Sequence, residues 1–100
     1  MELLTKYRSE IDALCRKHKV AVLYVFGSIM GEKFNAESDI DFVVRFDDVK
    51  LEDYADNYLD LCEALEKLVG RRVDLVVESS IKNPYFQEEV DETKQLLFAA

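Results

Sequence analysis

Apolar residues recur along this chain with two different spacings, and each spacing predicts a different element. Near the start they recur every three or four positions as far as His18, so residues 2–18 are predicted to form an amphipathic helix. Residues 20–26 (VAVLYVF) are apolar on both alternations, as in a strand covered on both faces, and Gly27 ends them. The pattern therefore predicts a helix followed by a buried strand.

Two more strands and two more helices follow. Residues 40–46 (IDFVVRF) and 72–78 (RVDLVVE) alternate, so each strand is expected to have one core face and one polar face. Between them, residues 51–69 carry a helical stripe that a glycine ends. Asn83 and Pro84 predict the start of a last helix. Its inner stripe is expected to contain Phe86, Val90, Thr93 and Leu97.

The order of elements predicts an α/β fold with a small mixed sheet. Helices are expected to cover one face of the sheet and to leave open the polar face, which carries Asp41, Arg45, Asp74 and Glu78. A ligand is expected on that open face. With 100 residues, 49% of them apolar, and no flexible linker, residues 1–100 are predicted to form a single domain.

Charge and composition argue against several classes of function. The formal net charge is −8, which disfavours free nucleic acid as a partner because phosphate backbones select basic surfaces. No apolar run approaches the roughly 18–20 residues that span a bilayer, so we expect a cytoplasmic protein that does not enter the membrane. Cys15 and Cys62 belong to no Cys or His cluster and are expected to be reduced, buried fillers.

Three aspartates are the candidate catalytic groups. Asp39 and Asp41 project from the same side of a strand, and Asp74 has the same outward parity on another strand. If the strands pair, three carboxylates meet and repel each other unless a cation neutralises them. Oxygen-only ligands select a hard ion, so the three aspartates predict a magnesium site.

An anion site is predicted just upstream of these aspartates. Gly27 and Ser28 follow the buried strand, where backbone N–H groups and the serine hydroxyl can bind phosphate oxygens. A Gly-Ser pair, nine residues and then Ser-Asp-x-Asp should arise by chance in about one chain of this length in ten thousand. The two features together predict a pocket for a nucleoside triphosphate with its metal.

These motifs resemble the signature of the DNA polymerase β-like nucleotidyltransferase superfamily. The matching segments are GS at 27–28, SDID at 38–41 and VDLV at 73–76. Chain length and element order are similar to its minimal, single-domain branch, called MNT. The resemblance implies two Mg²⁺ ions, catalytic and metal-binding roles for the three acids, and nucleotide-binding roles for the glycine and serines. The residues concerned are Asp39, Asp41 and Asp74 for catalysis and metal, and Gly27, Ser28 and Ser38 for the nucleotide.

The resemblance also implies an activity and a partner. Members transfer a nucleoside monophosphate, usually from ATP, to a hydroxyl acceptor, and pyrophosphate leaves. The minimal branch is similar to antitoxins that neutralise HEPN-domain toxins by binding them and attaching AMP to a toxin tyrosine. We therefore expect an ATP- and Mg²⁺-dependent protein adenylyltransferase with a HEPN-type partner.

One departure from the family pattern leaves alternatives open. Many members read Gly-Ser-x-x-Arg-Gly, whereas Gly31 and Glu32 occupy the last two positions here, with Lys33 or Arg45 as candidate substitutes for the arginine. A non-catalytic antitoxin module that inhibits its partner by contact is one alternative. A small-molecule nucleotidyltransferase is another, with a homo-oligomer supplying the acceptor pocket. In a third, the acids are only solvated surface residues.

Overall fold

A four-stranded sheet organises the part of the protein that the computed structural model describes, residues 2–27 and 38–100. The strands are β1 (Val20–Phe26), β2 (Ile40–Phe46), β3 (Val73–Val77) and β4 (Gln95–Ala99). The helices are α1 (Glu2–Lys6), α2 (Arg8–Lys17), α3 (Leu51–Val69) and α4 (Pro84–Thr93). The strand order is β3-β2-β1-β4; β2 and β3 are parallel, and the other neighbours are antiparallel. The predicted α/β fold with a small mixed sheet is confirmed.

One face of the sheet carries the main core. Alternate residues of β1, β2 and β3 point to this face, where side chains of α2 and α3 cover them. Both helices are amphipathic, so each contributes one apolar stripe and leaves its charged side in solvent. The most deeply buried members include Ile11, Cys15, Leu23, Val25, Ile40, Phe42, Val44, Leu61 and Leu65.

The opposite face holds a smaller cluster beneath α4. Val90 of α4 packs with Phe26 and Val43, and the Phe86 ring meets the Phe26 ring edge-on at 5.7 Å between centroids. Asn83 caps α4, since its side-chain oxygen accepts the backbone N–H of Tyr85 at 2.8 Å. Helix α4 thus covers part of the polar face, while Asp74 on β3 stays exposed.

Side chains of α3 cover the outer edge of β3. The N–H of Ile40 donates to the carbonyl of Arg72 at 3.0 Å, so the backbone groups of Val73 and Leu75 point away from β2. Tyr58, Cys62 and Glu66, four residues apart on one face of α3, reach those groups. The Tyr58 hydroxyl donates to Leu75 O, the Cys62 thiol to Val73 O at 3.8 Å, and Glu66 Oε2 accepts Val73 N–H at 3.0 Å. This row of contacts fixes β3 against α3.

The prediction that the last helix includes Leu97 was wrong. Helix α4 ends at Thr93, and Leu97 belongs to β4, which pairs with β1. Leu97 follows Thr93 by four residues, so it fits a helical stripe as well as a strand. The second edge of β1 decides the outcome, because pairing there satisfies backbone groups that a longer helix would leave unpaired.

The predicted first helix, residues 2–18, is two helices in the structure. The first helix is interrupted at Tyr7, which separates α1 from α2. His18 is buried at the end of α2, with Nδ1 2.7 Å from Leu14 O.

Both cysteines are free thiols, and burial, with a smaller contribution from Asp12, raises the pKa of Cys15 to about 12. Between residues 2 and 27 and from 38 onward, no helix is long and apolar enough to cross a bilayer.

We expect Tyr58→Phe to lower the free energy of unfolding by about 1 kcal/mol, because Leu75 O loses its side-chain donor. Burial, then negative charge at Cys62, Asp74 and Tyr54, raises the Tyr58 pKa above 10.0. The stability that this shift confers is present below pH 10 and declines as the pH rises through the folded-state pKa. Urea unfolding at pH 7 and above pH 10 measures both effects.

Tyr85→Phe is the matched control, because the Tyr85 side chain is 81% exposed. Equal stabilities for the two phenylalanine variants would contradict the assigned role of the Tyr58 hydroxyl.

Candidate functional site

Asp41 and Asp74 face each other across the parallel strands β2 and β3. Their Cα atoms are register partners, so the two side chains leave neighbouring strands, roughly 4.8 Å apart, toward the same face. Asp41 is half-buried between β1 and β3, whereas Asp74 lies exposed on the edge strand. The expected pairing of the two strands is therefore observed, and it brings two of the three predicted acids together.

Gly27 lies against Asp41. It follows β1 with a φ of +76°, a conformation that residues with side chains rarely adopt. A Cβ atom added at Gly27 would lie 2.8 Å from Oδ2 of Asp41, closer than such atoms approach. The backbone conformation thus favours glycine here, and a larger residue would in addition displace the Asp41 carboxylate.

The N–H of Gly27 is already bound within the protein. It donates to Oγ1 of Thr93 at 3.1 Å, and the Thr93 hydroxyl donates in turn to the carbonyl of Glu89 at 2.8 Å. The Gly27 N–H is thus directed into the protein in this structure, and a role of Gly27 in phosphate binding stays a prediction. Thr93 is a site residue that sequence reasoning assigned only to a helix stripe, since 66 positions separate it from Gly27.

Ser38 and Asp39 immediately precede β2. The Ser38 carbonyl accepts a hydrogen bond from Nη1 of Arg71 at 3.3 Å, so the turn before β3 is bound to the residue that precedes Asp39. Asp39 is exposed. In the described residues, no three His, Cys, Asp or Glu side chains lie close enough to hold a metal ion. The structure thus pairs Asp41 with Asp74, and Asp39, one residue before β2, does not form a three-acid group with them.

Part of the predicted phosphate turn lies outside the described residues. This applies to Ser28 and to Gly31, Glu32 and Lys33, where the family arginine is replaced. The other candidate substitute, Arg45, forms an ion pair with Glu78 at 3.6 Å. Arg45 follows Asp41 by four residues, about 13 Å along β2, so its location does not favour a role beside Asp41.

A groove of about 480 Å³ lies at the opposite end of β2. Its walls carry both basic and acidic side chains, so its charge does not select an anion such as a triphosphate. The lining residues are Arg16, Lys19, Val20, Asp47, Asp48, Phe98 and Ala100.

Comparison with known proteins decides the family. The sequence model of the nucleotidyltransferase domain family matches residues 8–97. The chain belongs to the nucleotidyltransferase family. The match spans β1, β2 and β3, which carry the glycine and the paired aspartates. The resemblance to the minimal nucleotidyltransferase branch is confirmed.

Two relatives of this nucleotidyltransferase are both named as protein adenylyltransferases. A Methanocaldococcus jannaschii protein named as a candidate protein adenylyltransferase is 39% identical, over 87% of this chain and 94% of its own length. The protein adenylyltransferase MntA of Thermococcus cleftensis is 34% identical, over 74% of this chain and 80% of its own length.

Solved structures share the fold. One described as a candidate minimal nucleotidyltransferase has a TM-score of 0.76 and 31% identity, and the match covers 94% of this chain and 92% of the other. A Shewanella oneidensis complex of an MNT antitoxin with a tri-AMPylated HEPN toxin matches with a TM-score of 0.65 and 22% identity, over 96% and 72% of the two chains. The second likeness concerns the fold alone.

We expect Gly27→Ala to be more destabilising than Gly70→Ala. Both glycines have positive φ, +76° and +70°, so alanine incurs a similar backbone cost of about 1–2 kcal/mol at each. Nothing lies within 4 Å of a Cβ at Gly70, whereas Asp41 Oδ2 lies 2.8 Å from one at Gly27. The end of the Asp41 side chain then has to rotate away, which we expect to add about 0.5 kcal/mol. Urea unfolding of both variants measures the difference, and a smaller loss for Gly27→Ala than for Gly70→Ala would contradict the close approach of Asp41.

Proposed function

We propose that this chain transfers AMP from ATP to a hydroxyl group, in a reaction that depends on Mg²⁺. The proposed acceptor is a tyrosine of a HEPN-type toxin, which would make the chain an antitoxin. Its membership of the nucleotidyltransferase family and the names of its relatives support the reaction class. The choice of a toxin tyrosine as the acceptor rests on the resemblance to the MNT branch.

One observation carries the proposal. Asp41 and Asp74 are register partners on parallel strands, and Gly27 lies against the Asp41 carboxylate. Like charges directly opposite each other destabilise a sheet, so an arrangement of this kind suits a site where positive charge is bound. The carboxylate oxygens are hard donors that fit Mg²⁺, and Asp39, one residue before β2, is the third candidate ligand.

The reaction makes one bond and breaks one. The acceptor oxygen bonds to the α-phosphorus of ATP, the bond from that phosphorus to the oxygen bridging the β-phosphate breaks, and pyrophosphate leaves. Asp74 is the acid positioned to take the hydroxyl proton, because it is exposed on the edge strand where an acceptor can approach. Bound Mg²⁺ would neutralise phosphate charge and make the acceptor hydroxyl more acidic.

An apolar surface on α3 supports a protein partner. Leu51 and Leu59 are 92% and 60% exposed, although both lie on one side of the helix with Ala55 between them. Beside them, a groove of about 350 Å³ runs along the helix to the end of β3, the strand that carries Asp74. Exposed apolar side chains grouped in this way are typical of protein interaction sites. The groove is lined by Tyr54, Ala55, Tyr58, Leu59 and Val77.

A second candidate is a partner-binding antitoxin without catalytic activity. Two observations favour it: Gly31 and Glu32 stand where an arginine is common in the family, and the three predicted acids do not form a group that could hold a metal ion in the described part of the chain. The two functions differ in whether AMP is transferred, so one assay distinguishes them.

We expect incubation with ATP, Mg²⁺ and the protein encoded by the neighbouring gene to add AMP to a tyrosine of that protein. Intact-mass and peptide mass spectrometry measure the transfer. Asp41→Asn and Asp74→Asn should each reduce the rate at least about 100-fold, because loss of a direct metal ligand should cost no less than loss of a residue that supports one.

Glu10→Gln is the control, because Glu10 is an exposed acid on α2, outside the aspartate pair and the apolar surface of α3. Urea unfolding of each site variant checks that it is folded under the assay conditions, so that a loss of AMP transfer reports on the reaction and not on unfolding. Neutralisation of the partner without any AMP transfer, unchanged in the two site variants, would refute the enzyme and support the binding module.

A further inference from the structure

The hydrogen bond between Gly27 and Thr93 joins the end of β1 to the last turn of α4. The Gly27 N–H donates to Thr93 Oγ1 at 3.1 Å. The Thr93 proton is directed to Glu89 O at 2.8 Å, which leaves the oxygen lone pairs for Gly27. The two bonds therefore form a directed chain from the site turn into the helix.

This chain fixes the orientation of the peptide before Gly27. The glycine itself is permissive, because without a side chain it adopts positive and negative φ about equally readily. Its observed φ of +76° brings it against Asp41 Oδ2, and another orientation would change that approach. An interaction from outside the turn is therefore needed to stabilise this conformation of Gly27.

Helix α4 is packed firmly enough on the sheet to stabilise this conformation of Gly27. Val90, one turn before Thr93, is buried against Phe26 and Val43, and Phe86 packs edge-on against Phe26. These contacts attach α4 to the same strand end that Thr93 binds. The hydroxyl thus acts from a fixed support rather than from a loosely held side chain.

We propose that Thr93 is a positioning residue, whose hydroxyl holds Gly27 in the conformation that lies against Asp41 and suits nucleotide binding. The role in ATP binding rests on the proposed function, whereas the restraint on Gly27 does not. A threonine located 66 positions from the glycine would then control the geometry of the phosphate end of the site.

Thr93→Val keeps the side-chain shape and removes the hydroxyl, whereas Thr93→Ser keeps the hydroxyl. We expect Thr93→Val to accelerate amide hydrogen exchange at Gly27 about 3- to 10-fold, as loss of one hydrogen bond predicts, and Thr93→Ser to stay within about twofold of wild type. NMR measures the exchange. Calorimetric titration with Mg²⁺ and a non-hydrolysable ATP analogue should show about tenfold weaker binding for Thr93→Val and near wild-type binding for Thr93→Ser.

The two readouts separate the two proposals. Wild-type protein that binds no ATP analogue would refute the proposed function, while exchange at Gly27 would still decide the restraint by Thr93. Unchanged exchange in Thr93→Val would overturn the positioning role, and so would wild-type ATP affinity in that variant. Equal damage from Thr93→Val and Thr93→Ser would also overturn it, because the effect would then not depend on the hydroxyl.

Discussion

The parallel pairing of β2 with β3 places two like charges, Asp41 and Asp74, directly opposite each other. In a sheet this pairing is unfavourable for folding, and many other residues could occupy the two positions. The contacts around the pair hold it in place. Ile40 bonds to Arg72 at the start of the two strands, and the α3 row of Tyr58, Cys62 and Glu66 covers the outer edge of β3. The fold therefore holds together two charges that would favour separation, as expected where a cation is the ligand.

The site is built from both faces of the sheet. On one face, the main core and α3 fix the register of β3. On the other, α4 packs on Phe26 and reaches Gly27 through Thr93. Each aspartate thus has its own support, α3 for Asp74 and the Gly27 turn for Asp41. A substitution in α3 is expected to affect Asp74 through β3, and one in α4 to affect Asp41 through the end of β1. Neither helix itself supplies a predicted catalytic group.

Much of this arrangement could be predicted from the sequence, because local patterns determine it. Strict alternation in β2 and β3 fixes which side Asp41 and Asp74 occupy, and a long helical stripe fixes α3. Non-local choices could not be predicted in the same way. Leu97 fits a helix and a strand equally, and only the open edge of β1 decides between them. The bond from Gly27 to Thr93 joins residues 66 positions apart and leaves no local signal.

The central claim is that Asp41, Asp74 and the Gly27 turn form one site for a nucleotide and its metal. A crystal structure with Mn²⁺ and a non-hydrolysable ATP analogue, with the metal located by its anomalous scattering, tests it most directly. We predict a metal peak about 2.1 Å from carboxylate oxygens of both Asp41 and Asp74, with the triphosphate beside Gly27. A nucleotide bound instead in the groove near Arg16 and Lys19, or a metal that contacts neither aspartate, would contradict the account.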